Sequence, residues 1–350
     1  MASEKQTVIP FPHRLEKNPY CELLYTHLER QGVRVIPDAR FDLDWLKARR
    51  AEAEVIHLHW IGHLYRHWRG GLYNVLSSSR FLQTLLQLRR LEYRLVWTLH
   101  NFAPHDSRGD LFDASVRRKM LRWCRVICHC ETARRMLDPQ GQRENVFVIP
   151  HGHYMDRYPN TISRDEARRR LGLPGDAKVF LAFGLQRFYK GNERLIRLFD
   201  RPGWENRHLL IVGEPLSEDE QRQSREREGR QERANVHYHY RFVPEEEVQV
   251  FFQSCDFAVF NFGRVLTSGS VILALSMGRP VIVPDVGCLS ELKDGREALK
   301  FPPGDLDALA RAIERSCSLD SEALGAAAKQ MASRWDWDSI AKAHAQVYGF

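Results

Sequence analysis

The stretch at residues 265–283, VLTSGSVILALSMGRPVIV, is the most informative part of this 350-residue chain. Its small residues at 267–270, TSGS, predict a turn that opens a helix, and Gly269 would let the backbone approach a ligand closely. The GRP at 278–280 then predicts a turn into a strand. Free amides at a helix start, reinforced by the helix dipole, can bind an anion. An ordinary helix cap followed by a turn would produce the same pattern.

A second stretch at residues 183–191, FGLQRFYKG, follows an apolar segment that is typical of a strand. It therefore falls at the carboxyl end of that strand, where open α/β sheets bind ligands. Arg187 and Lys190 lie three residues apart on a loop or first helical turn, so their side chains can point the same way. Two cations beside a cluster of helix amides suit a pyrophosphate, and ordinary surface charge is the alternative interpretation.

Strand-like and helix-like segments alternate along the rest of the chain. This alternation predicts βαβ units with parallel sheets, and hence an α/β protein of two doubly wound, Rossmann-like domains joined near residues 150–165. We predict domains at 1–155 and 156–334, with a final helix over 335–350. The predicted strands lie at residues 7–10, 33–36, 55–59, 95–99, 126–129, 146–149, 179–183, 209–212, 236–240, 257–260 and 280–283, and the helices of the first half at 19–31, 41–52, 79–92 and 111–123.

The composition is that of a globular protein. Hydrophobic residues make up 43% of the chain, which can build the cores of two domains and argues against disorder. No run of 18 apolar residues is present, and residues 1–12 lack the pattern of a signal peptide. We therefore expect a cytoplasmic protein.

Two patterns that could indicate a metal have simpler interpretations. Cys124, Cys128 and Cys130 surround His129, but no second ligand pair follows at suitable spacing, so we predict a buried strand with reduced thiols. Three D-x-D strings each open a helical pattern, where an aspartate caps free amides. We predict no metal site. The three strings are Asp42/Asp44, Asp305/Asp307 and Asp336/Asp338.

The formal charge of +7 suggests an anionic partner. Residues 60–73, WIGHLYRHWRGGLY, interleave aromatic rings with cations, as interfacial anchors do. We predict peripheral contact of the amino half with anionic lipid, with core packing and solvated helix faces as the alternatives. Nucleic-acid binding is disfavoured because the basic residues are spread over several helices without a known motif. Further candidates for the lipid contact are Phe81, Leu82, Leu85 and Leu86, and the basic stripe of Arg117, Arg118, Lys119, Arg122 and Arg125.

Five segments of the carboxyl half, in this order, resemble the donor domain of GT-B glycosyltransferases of the large retaining superfamily. The match covers most of residues 145–310. It implies a GT-B fold, in which two Rossmann-like domains face each other across a cleft and a carboxyl-terminal helix crosses back. The segments are FGLQRFYKG at 183–191, IVGE at 211–214, RFVPEEEV at 241–248, CDFAVF at 255–260 and SMGRPVI at 276–282.

This resemblance also implies which residues bind the donor. Arg187 and Lys190 would hold the donor diphosphate, the helix amides at 268–270 would hold it from the other side, and the turn at 241–243 would frame the base. His151, which begins the interdomain segment, is a further candidate for contact with the donor phosphate. The complete predicted donor-binding set is His151, Gly184, Arg187, Lys190, Arg241, Phe242, Val243, Thr267, Ser268, Gly269 and Ser270.

One departure from the superfamily concerns its catalytic carboxylates. Retaining members carry two glutamates ahead of the G-x-P turn, whereas the matching positions here are Val265 and Leu273. The ribose contact and the catalytic-site acid of those enzymes are therefore missing. This difference argues against the standard retaining site.

A second resemblance, to the xanthan-type β-1,4-mannosyltransferases, spans most of the chain. TSGSVILALSMGRPVI at 267–282 is similar to that family, as are NPYCELLYTHLERQGV at 18–33, VIHLHW at 55–60 and WTLHNFAPHD at 97–106. It implies inversion, GDP-mannose as the donor and a lipid-linked saccharide as the acceptor. The nucleotide sugar would be a substrate, with no separate cofactor.

Inversion requires a general base for the acceptor hydroxyl. His100 and Asn101 follow a predicted strand, and Asp106 lies on the same loop. We predict that Asp106 or His100 takes the proton, since imidazole has a pKa near 6.5 and a carboxylate would need help from its surroundings. Structural loop roles are the alternative. His59, Trp60 and Asn101 are the predicted acceptor-side residues.

These patterns together predict an inverting, metal-independent hexosyltransferase on the inner face of the cell membrane. A retaining or UDP-sugar-dependent transferase is the first alternative. A nucleic-acid-binding protein and an inactive scaffold are the others, and the retained Arg187 and Lys190 argue against the scaffold.

Overall fold

The computed structural model of the chain describes residues 6–66, 71–101, 111–187, 190–215, 219–223, 226 and 234–350, without the side chains of 71–73 and 111–112. The chain forms two compact units. The first comprises Met1–Gly152 together with Trp335–Phe350, and the second comprises His153–Arg334. The sequence-based boundary at 155/156 lies three residues after this division.

The first unit contains a six-stranded, wholly parallel sheet of order β2-β1-β3-β4-β5-β6. In this order the chain reverses its direction of winding between β1 and β3, which makes a topological switch point. The strands are β1 (Thr7–Phe11), β2 (Arg34–Val35), β3 (Val55–Leu58), β4 (Arg94–Thr98), β5 (Arg125–Cys128) and β6 (Val146–Val148), and the helices are α1 (Tyr20–Arg30), α2 (Leu43–Ala48), α3 (Gly62–Tyr65), α4 (Gly71–Arg90), α5 (Leu111–Trp123) and α6 (Glu131–Leu137).

The central strands of this sheet are buried along their length. All four residues of β3 and the last four of β4 are buried, as expected when helices cover both faces of a parallel sheet. Phe81 and Leu85 of α4 are also buried, so core packing accounts for two of the four apolar residues predicted to contact lipid. Of the predicted anchor at 60–73, residues 67–70 lie outside the described ranges.

The last helix, α13 (Trp337–Tyr348), returns to the first unit and packs against α1. Its buried face includes Ile340, Ala341 and His344. Asp338 accepts a hydrogen bond from the His27 ring at 2.7 Å, which ties the start of this helix to α1.

The second unit contains a parallel sheet of order β12-β11-β10-β7-β8-β9, the order of the Rossmann fold read from the other edge. The switch point therefore lies between β7 and β10. The strands are β7 (Lys178–Phe183), β8 (Arg207–Val212), β9 (Val236–His239), β10 (Phe257–Val259), β11 (Val281–Pro284) and β12 (Ala298–Phe301), and the helices are α7 (Arg164–Arg170), α8 (Asn192–Leu198), α9 (Glu245–Ser254), α10 (Gly269–Ser276), α11 (Leu306–Cys317) and α12 (Ser321–Ala332), with a 3-10 turn at Gly287–Glu291.

The predicted α/β organisation is confirmed, and the differences concern single elements. The helix predicted at 41–52 covers only Leu43–Ala48, and the one predicted at 79–92 begins earlier, at Gly71. Strand β12 was not predicted, because the charged residues around it mask a short apolar run. No helix in the described ranges is both long and apolar enough to cross a membrane.

The capping role predicted for the D-x-D strings is confirmed. In each string the first aspartate accepts a hydrogen bond from the backbone amide three residues later, at 2.8–2.9 Å. This bond satisfies one of the amides that a helix start leaves without a partner. The capping residues are Asp42, Asp305 and Asp336.

Candidate active site

In the second unit, the two glycine-containing stretches meet at the carboxyl end of β7. Gly184 has a φ of +110°, and a Cβ atom at this position would lie 2.5 Å from Ser270 Oγ and 2.9 Å from Lys190 Nζ. Both side chains therefore converge on the backbone of Gly184. This is the switch point of the sheet, where open α/β sheets bind their ligands.

Lys190 is buried, with 8% of its surface exposed. Burial, and then the positive charge of Arg187, lower the pKa of Lys190 from 10.5 to about 8. A buried cation with a lowered pKa lacks a sufficient counter-charge in the described structure, and an anionic ligand would supply one. Arg187, the other predicted diphosphate ligand, is half-buried, and its carbonyl accepts from the backbone amide of Lys190 at 3.0 Å.

Helix α10 begins beside this point. The Ser268 side chain accepts a hydrogen bond from the Val271 amide at 3.4 Å and so acts as the N-cap. The amides of Gly269 and Ser270 fall in the first turn, where a helix offers them no backbone acceptor. The small residues of the TSGS stretch therefore form the start of a helix beside Lys190, as the sequence predicts. Thr267 precedes it and contacts Cys288, with 3.2 Å between Oγ1 and Sγ.

The predicted base-framing turn follows β9, two strands away from β7. Phe242 is exposed, at 52%, while Val243 is buried. Arg241 forms an ion pair with Glu247. Gly213 follows β8, the strand that lies between β7 and β9. It has a φ of +131° and leaves no room for a Cβ atom, which would lie 2.2 Å from the Gly184 carbonyl oxygen. Only glycine there lets the ends of β7 and β8 approach so closely.

In the first unit, histidines follow the carboxyl ends of β3, β4, β5 and β6. His59, His100 and His129 form a hydrogen-bonded chain, with 3.2 Å between His59 Nδ1 and His100 Nε2 and 3.3 Å between His100 Nδ1 and His129 Nε2. The Tyr25 hydroxyl lies 2.6 Å from His59 Nε2 at one end. At the other end, His129 Nδ1 lies 3.0 Å from the Ile149 carbonyl oxygen. We call this series the histidine chain.

The Ile149 carbonyl at the end of the histidine chain determines which ring nitrogen of each histidine carries the proton. A carbonyl oxygen can only accept, so His129 must carry its proton on Nδ1 and accept on Nε2. His100 and His59 must then also be protonated on Nδ1, and Tyr25 donates to His59. All three histidines are neutral in this arrangement, with one direction of donation from Tyr25 to Ile149.

Burial keeps the neighbouring histidines neutral as well. It lowers the pKa of His129 and of His344 to about 4 and that of His151 to about 3, with mutual repulsion adding to the effect at His151. The pKa values of His57, His59 and His100 are lowered well below the usual range for the same reasons. His57 is linked to the Thr98 hydroxyl at 2.8 Å and to the Tyr348 hydroxyl at 2.8 Å.

Those predicted acceptor-side and catalytic residues that the structure describes follow the carboxyl ends of β3 and β4. The Trp60 ring stacks on His100, with 4.0 Å between centroids and 11° between planes. His100 is 7% exposed and both its ring nitrogens are engaged in the histidine chain, which makes it a weak base until that chain rearranges. Asp106 lies outside the described residues. The identity of the base therefore stays a prediction.

A buried carboxylate near the same edge was missed by the sequence analysis. Asp113 of α5 accepts a hydrogen bond from the Tyr65 hydroxyl at 2.6 Å, and Arg117 donates to the Asn101 carbonyl at 2.8 Å. Within the described residues, Asp113 Oδ2 and Asn101 Oδ1 are buried without a hydrogen-bond partner. No motif marks Asp113, because it lies within an ordinary amphipathic helix.

Neither unit shows a metal centre in the part of the chain that is described. No group of three or more histidine, cysteine, aspartate or glutamate side chains there has an arrangement that could hold an ion. Cys124 and Cys128 are free and buried, and burial raises the pKa of each thiol to about 12. They therefore belong to the core beneath β5 and not to a reactive site.

The carboxyl-terminal unit matches a known family. Residues 177–318 match the model of the glycosyl transferases group 1. A GDP-mannose:glycolipid 4-beta-D-mannosyltransferase from Xanthomonas campestris pv. campestris is 29% identical over 273 residues, which cover 76% of this chain and 70% of that protein. A D-inositol 3-phosphate glycosyltransferase from Streptomyces scabiei is 31% identical, over 60% of this chain and 49% of its own length.

Solved structures resemble the whole chain. Sucrose-phosphate synthase from Thermosynechococcus elongatus has a TM-score of 0.77 at 19% identity and covers 98% of both chains. Anabaena HepE in complex with UDP and glucose has a TM-score of 0.72 at 15% identity, over 99% of this chain and 100% of its own. At such identities the likeness concerns the fold alone, and it confirms the predicted GT-B fold.

Proposed function

We propose that this protein, whose residues 177–318 match the model of the glycosyl transferases group 1, transfers mannose from GDP-mannose, with inversion, to a lipid-linked saccharide. The resulting β-linkage would extend a polysaccharide precursor. The observation that carries the proposal is the convergence of Lys190 Nζ and Ser270 Oγ on the backbone of Gly184 at the sheet's switch point.

The donor is proposed from chemistry and from the relative together. Lys190 and Arg187 supply positive charge, and the amides at the start of α10 supply donors for a second face of a diphosphate. These groups would recognise any nucleoside diphosphate sugar. GDP and mannose are chosen because the Xanthomonas relative, 29% identical, carries them in its name. A UDP-sugar is the first alternative.

We propose that the reaction needs no divalent ion and no cofactor beyond the nucleotide sugar. When the sugar leaves, negative charge develops on the diphosphate, and fixed cations can stabilise it in place of a metal. Lys190 is suited to this task because its burial excludes water from its charge. Chelation of divalent ions should then leave turnover unchanged.

The acceptor side belongs to the first unit in this proposal. Trp60 offers a ring face to a sugar, and His59, His100 and Asn101 lie around it. Asp106 or His100 would accept the hydroxyl proton, and His151 would approach the donor phosphate. We further propose that this unit contacts anionic lipid at the inner face of the cell membrane, where a lipid-linked acceptor resides.

The experiment that tests the function has two steps. Thermal shifts with GDP, UDP, ADP and TDP, with and without magnesium, identify the base, because a ligand of the folded state raises the melting temperature. Transfer from the matching nucleotide sugar to a polyprenyl-diphosphate-linked saccharide is then measured, and the anomer of the product is read by NMR. A GDP shift without metal and a β-product support the proposal. A UDP shift would refute the donor, and an α-product would refute inversion.

A further inference from the structure

A cavity of about 370 Å³ lies in the first unit at the edge of the sheet opposite the histidine chain. Its lining includes Arg94 at the start of β4, Arg125 at the start of β5 and Asn145 just before β6. The histidines follow the other ends of these parallel strands. A five-residue strand separates its two ends by roughly 15 Å, so this cavity is distinct from the candidate active site.

The lining of this cavity is strongly basic. Five arginines contribute to it, and none of the described residues that line it is acidic. The only ion pair that these arginines form within the described ranges is that of Arg94 with Glu54. The arginines are Arg89, Arg94, Arg122, Arg125 and Arg143.

Two of the five arginines have a structural role. Arg94 donates to the carbonyls of Tyr348 and Gly349, at 2.7 and 3.1 Å, and Arg125 donates to that of Val347 at 2.6 Å. These bonds satisfy carbonyls that the end of α13 leaves without partners. They also hold two guanidinium groups in place at the back of the cavity.

The other three arginines have no such role. Arg89, Arg122 and Arg143 are exposed, and none of their guanidinium groups forms an ion pair with a carboxylate of the described residues. Asp138 accepts a hydrogen bond from Arg143 only at the backbone amide, at 2.7 Å. Unpaired like charges repel one another, so clustering them costs free energy unless an anion binds. The cluster therefore needs a reason beyond the stability of this unit.

The rest of the lining is rigid. Trp123 lies between two cations, with its ring 5.7 Å from Arg89 and 5.4 Å from Lys119. The Asn145 amide donates to the Leu121 and Cys124 carbonyls at 2.8 and 2.7 Å, and the Tyr93 hydroxyl donates to the Leu46 carbonyl. A cavity whose wall is held by these hydrogen bonds and whose lining includes exposed guanidinium groups suits a ligand with several oxygen acceptors.

We propose that this arginine-lined cavity is a second anion site, which binds a phosphate-bearing ligand separately from the sugar donor. Guanidinium groups match phosphate oxygens in paired hydrogen bonds, and the volume admits a diphosphate or a phosphodiester. The phosphate could belong to a soluble diphosphate or to a lipid headgroup. The site does not depend on which donor or acceptor the enzyme uses.

The test compares two double variants with the same change in charge. Arg122→Gln with Arg143→Gln removes two exposed arginines of the cavity lining, whereas Arg40→Gln with Arg135→Gln removes two exposed arginines elsewhere in the same unit. Pyrophosphate binding is measured by calorimetry at low salt. Every protein compared also carries Lys190→Ala, which removes binding at the donor site. Sedimentation with phosphatidylcholine vesicles, with and without phosphatidylglycerol, measures lipid binding.

Selective loss in the cavity variant supports the proposal, and the assay in which it occurs identifies the source. A tenfold or greater loss of pyrophosphate affinity points to a soluble ligand. A comparable loss of binding to phosphatidylglycerol vesicles, with pyrophosphate affinity unchanged, points to a lipid headgroup. If both double variants lose binding equally in each assay, or neither loses it, there is no specific site and the proposal is wrong.

Discussion

At the scale of single residues, the burial of Lys190 lowers the stability of the fold and serves the proposed binding of the donor. Its folded pKa of about 8 lies below the unfolded value of 10.5, so the unfolded chain binds the proton more tightly. Stability therefore rises with pH between these values, and burying the charge costs free energy below pH 8. We expect Lys190→Met to raise the free energy of unfolding at pH 7 by on the order of 2 kcal/mol, and to weaken donor binding tenfold or more.

Denaturant unfolding and calorimetry with the donor nucleotide measure the two effects of Lys190→Met. Wild-type donor affinity should also fall as the pH rises above 8, because the free enzyme then loses the lysine proton. Lys293→Met, on an exposed loop of the same unit, is the control and should change neither quantity. Unchanged donor affinity in Lys190→Met would remove this lysine from the site.

Gly184 provides a steric prediction at the same scale. An alanine Cβ there would lie within 3 Å of Ser270 Oγ and Lys190 Nζ, at a φ that disfavours any side chain. We expect Gly184→Ala to lower the free energy of unfolding by about 1–3 kcal/mol and to weaken donor binding at least tenfold. Gly175→Ala, with open space around the new methyl group, is the control. Equal behaviour of the two variants in calorimetry would show that Gly184 does not support the site.

At the scale of elements, a cap and a metal ligand make different demands on a D-x-D pair. A cap needs only the first aspartate, whereas a metal site needs both. Asp305 accepts from the Ala308 amide at 2.8 Å, while Asp307 makes an exposed ion pair with Arg201. We expect Asp305→Ala to cost about 1 kcal/mol of stability and Asp307→Ala much less. Denaturant unfolding checks this, and an equal loss of activity in both variants, rescued by magnesium, would contradict the capping role.

The histidine chain links one helix to three strands, and its first donor is Tyr25 of α1. Removing that hydroxyl leaves a buried acceptor on His59 without a donor. We expect Tyr25→Phe to lower the free energy of unfolding by about 1–3 kcal/mol. The control is Tyr93→Phe, whose hydroxyl makes a single bond to the Leu46 carbonyl. If Tyr93→Phe proves as costly as Tyr25→Phe in denaturant unfolding, the histidine chain does not act as a connected network.

At the scale of the whole molecule, acid should destabilise the first unit before the second. Its buried histidines have folded pKa values below the unfolded value of 6.5. Below pH 6.5 these histidines therefore bind protons in the unfolded chain while they stay neutral in the folded unit. Stability is thus lost as the pH falls from about 6.5 towards 4. Within the described ranges the second unit contains fewer histidines with a lowered pKa, and only one of them is buried: they are His208, which is buried, and His237 and His239, which are partly exposed.

Scanning calorimetry between pH 8 and pH 5 checks this order of unfolding. The donor nucleotide binds the second unit in our proposal, so it should raise only that unit's transition and thereby assign it. We expect the other transition to move to lower temperature by the larger amount as the pH falls. A larger acid shift in the nucleotide-sensitive transition would contradict this prediction.

The sequence by itself determined the features that depend on neighbours along the chain. Alternating apolar segments predicted two parallel α/β sheets, aspartates before helical patterns predicted caps, and two short stretches predicted the residues that meet at Gly184. Local periodicity and helix capping act over a few residues, and these patterns are visible without the fold. For the same reason the sequence alone indicates Arg187, Lys190 and Ser270 as candidates for donor binding.

Only the tertiary structure decided which distant residues meet. The histidine chain joins Tyr25, His59, His100 and His129 through the register of three parallel strands and the packing of α1, and no local pattern specifies that register. The same packing engages both ring nitrogens of His100 in hydrogen bonds, although the position of this residue after a strand predicts a general base. The arginine-lined cavity is likewise non-local, because Arg89, Arg122 and Arg143 come from separate elements that meet only at the sheet's amino-terminal edge.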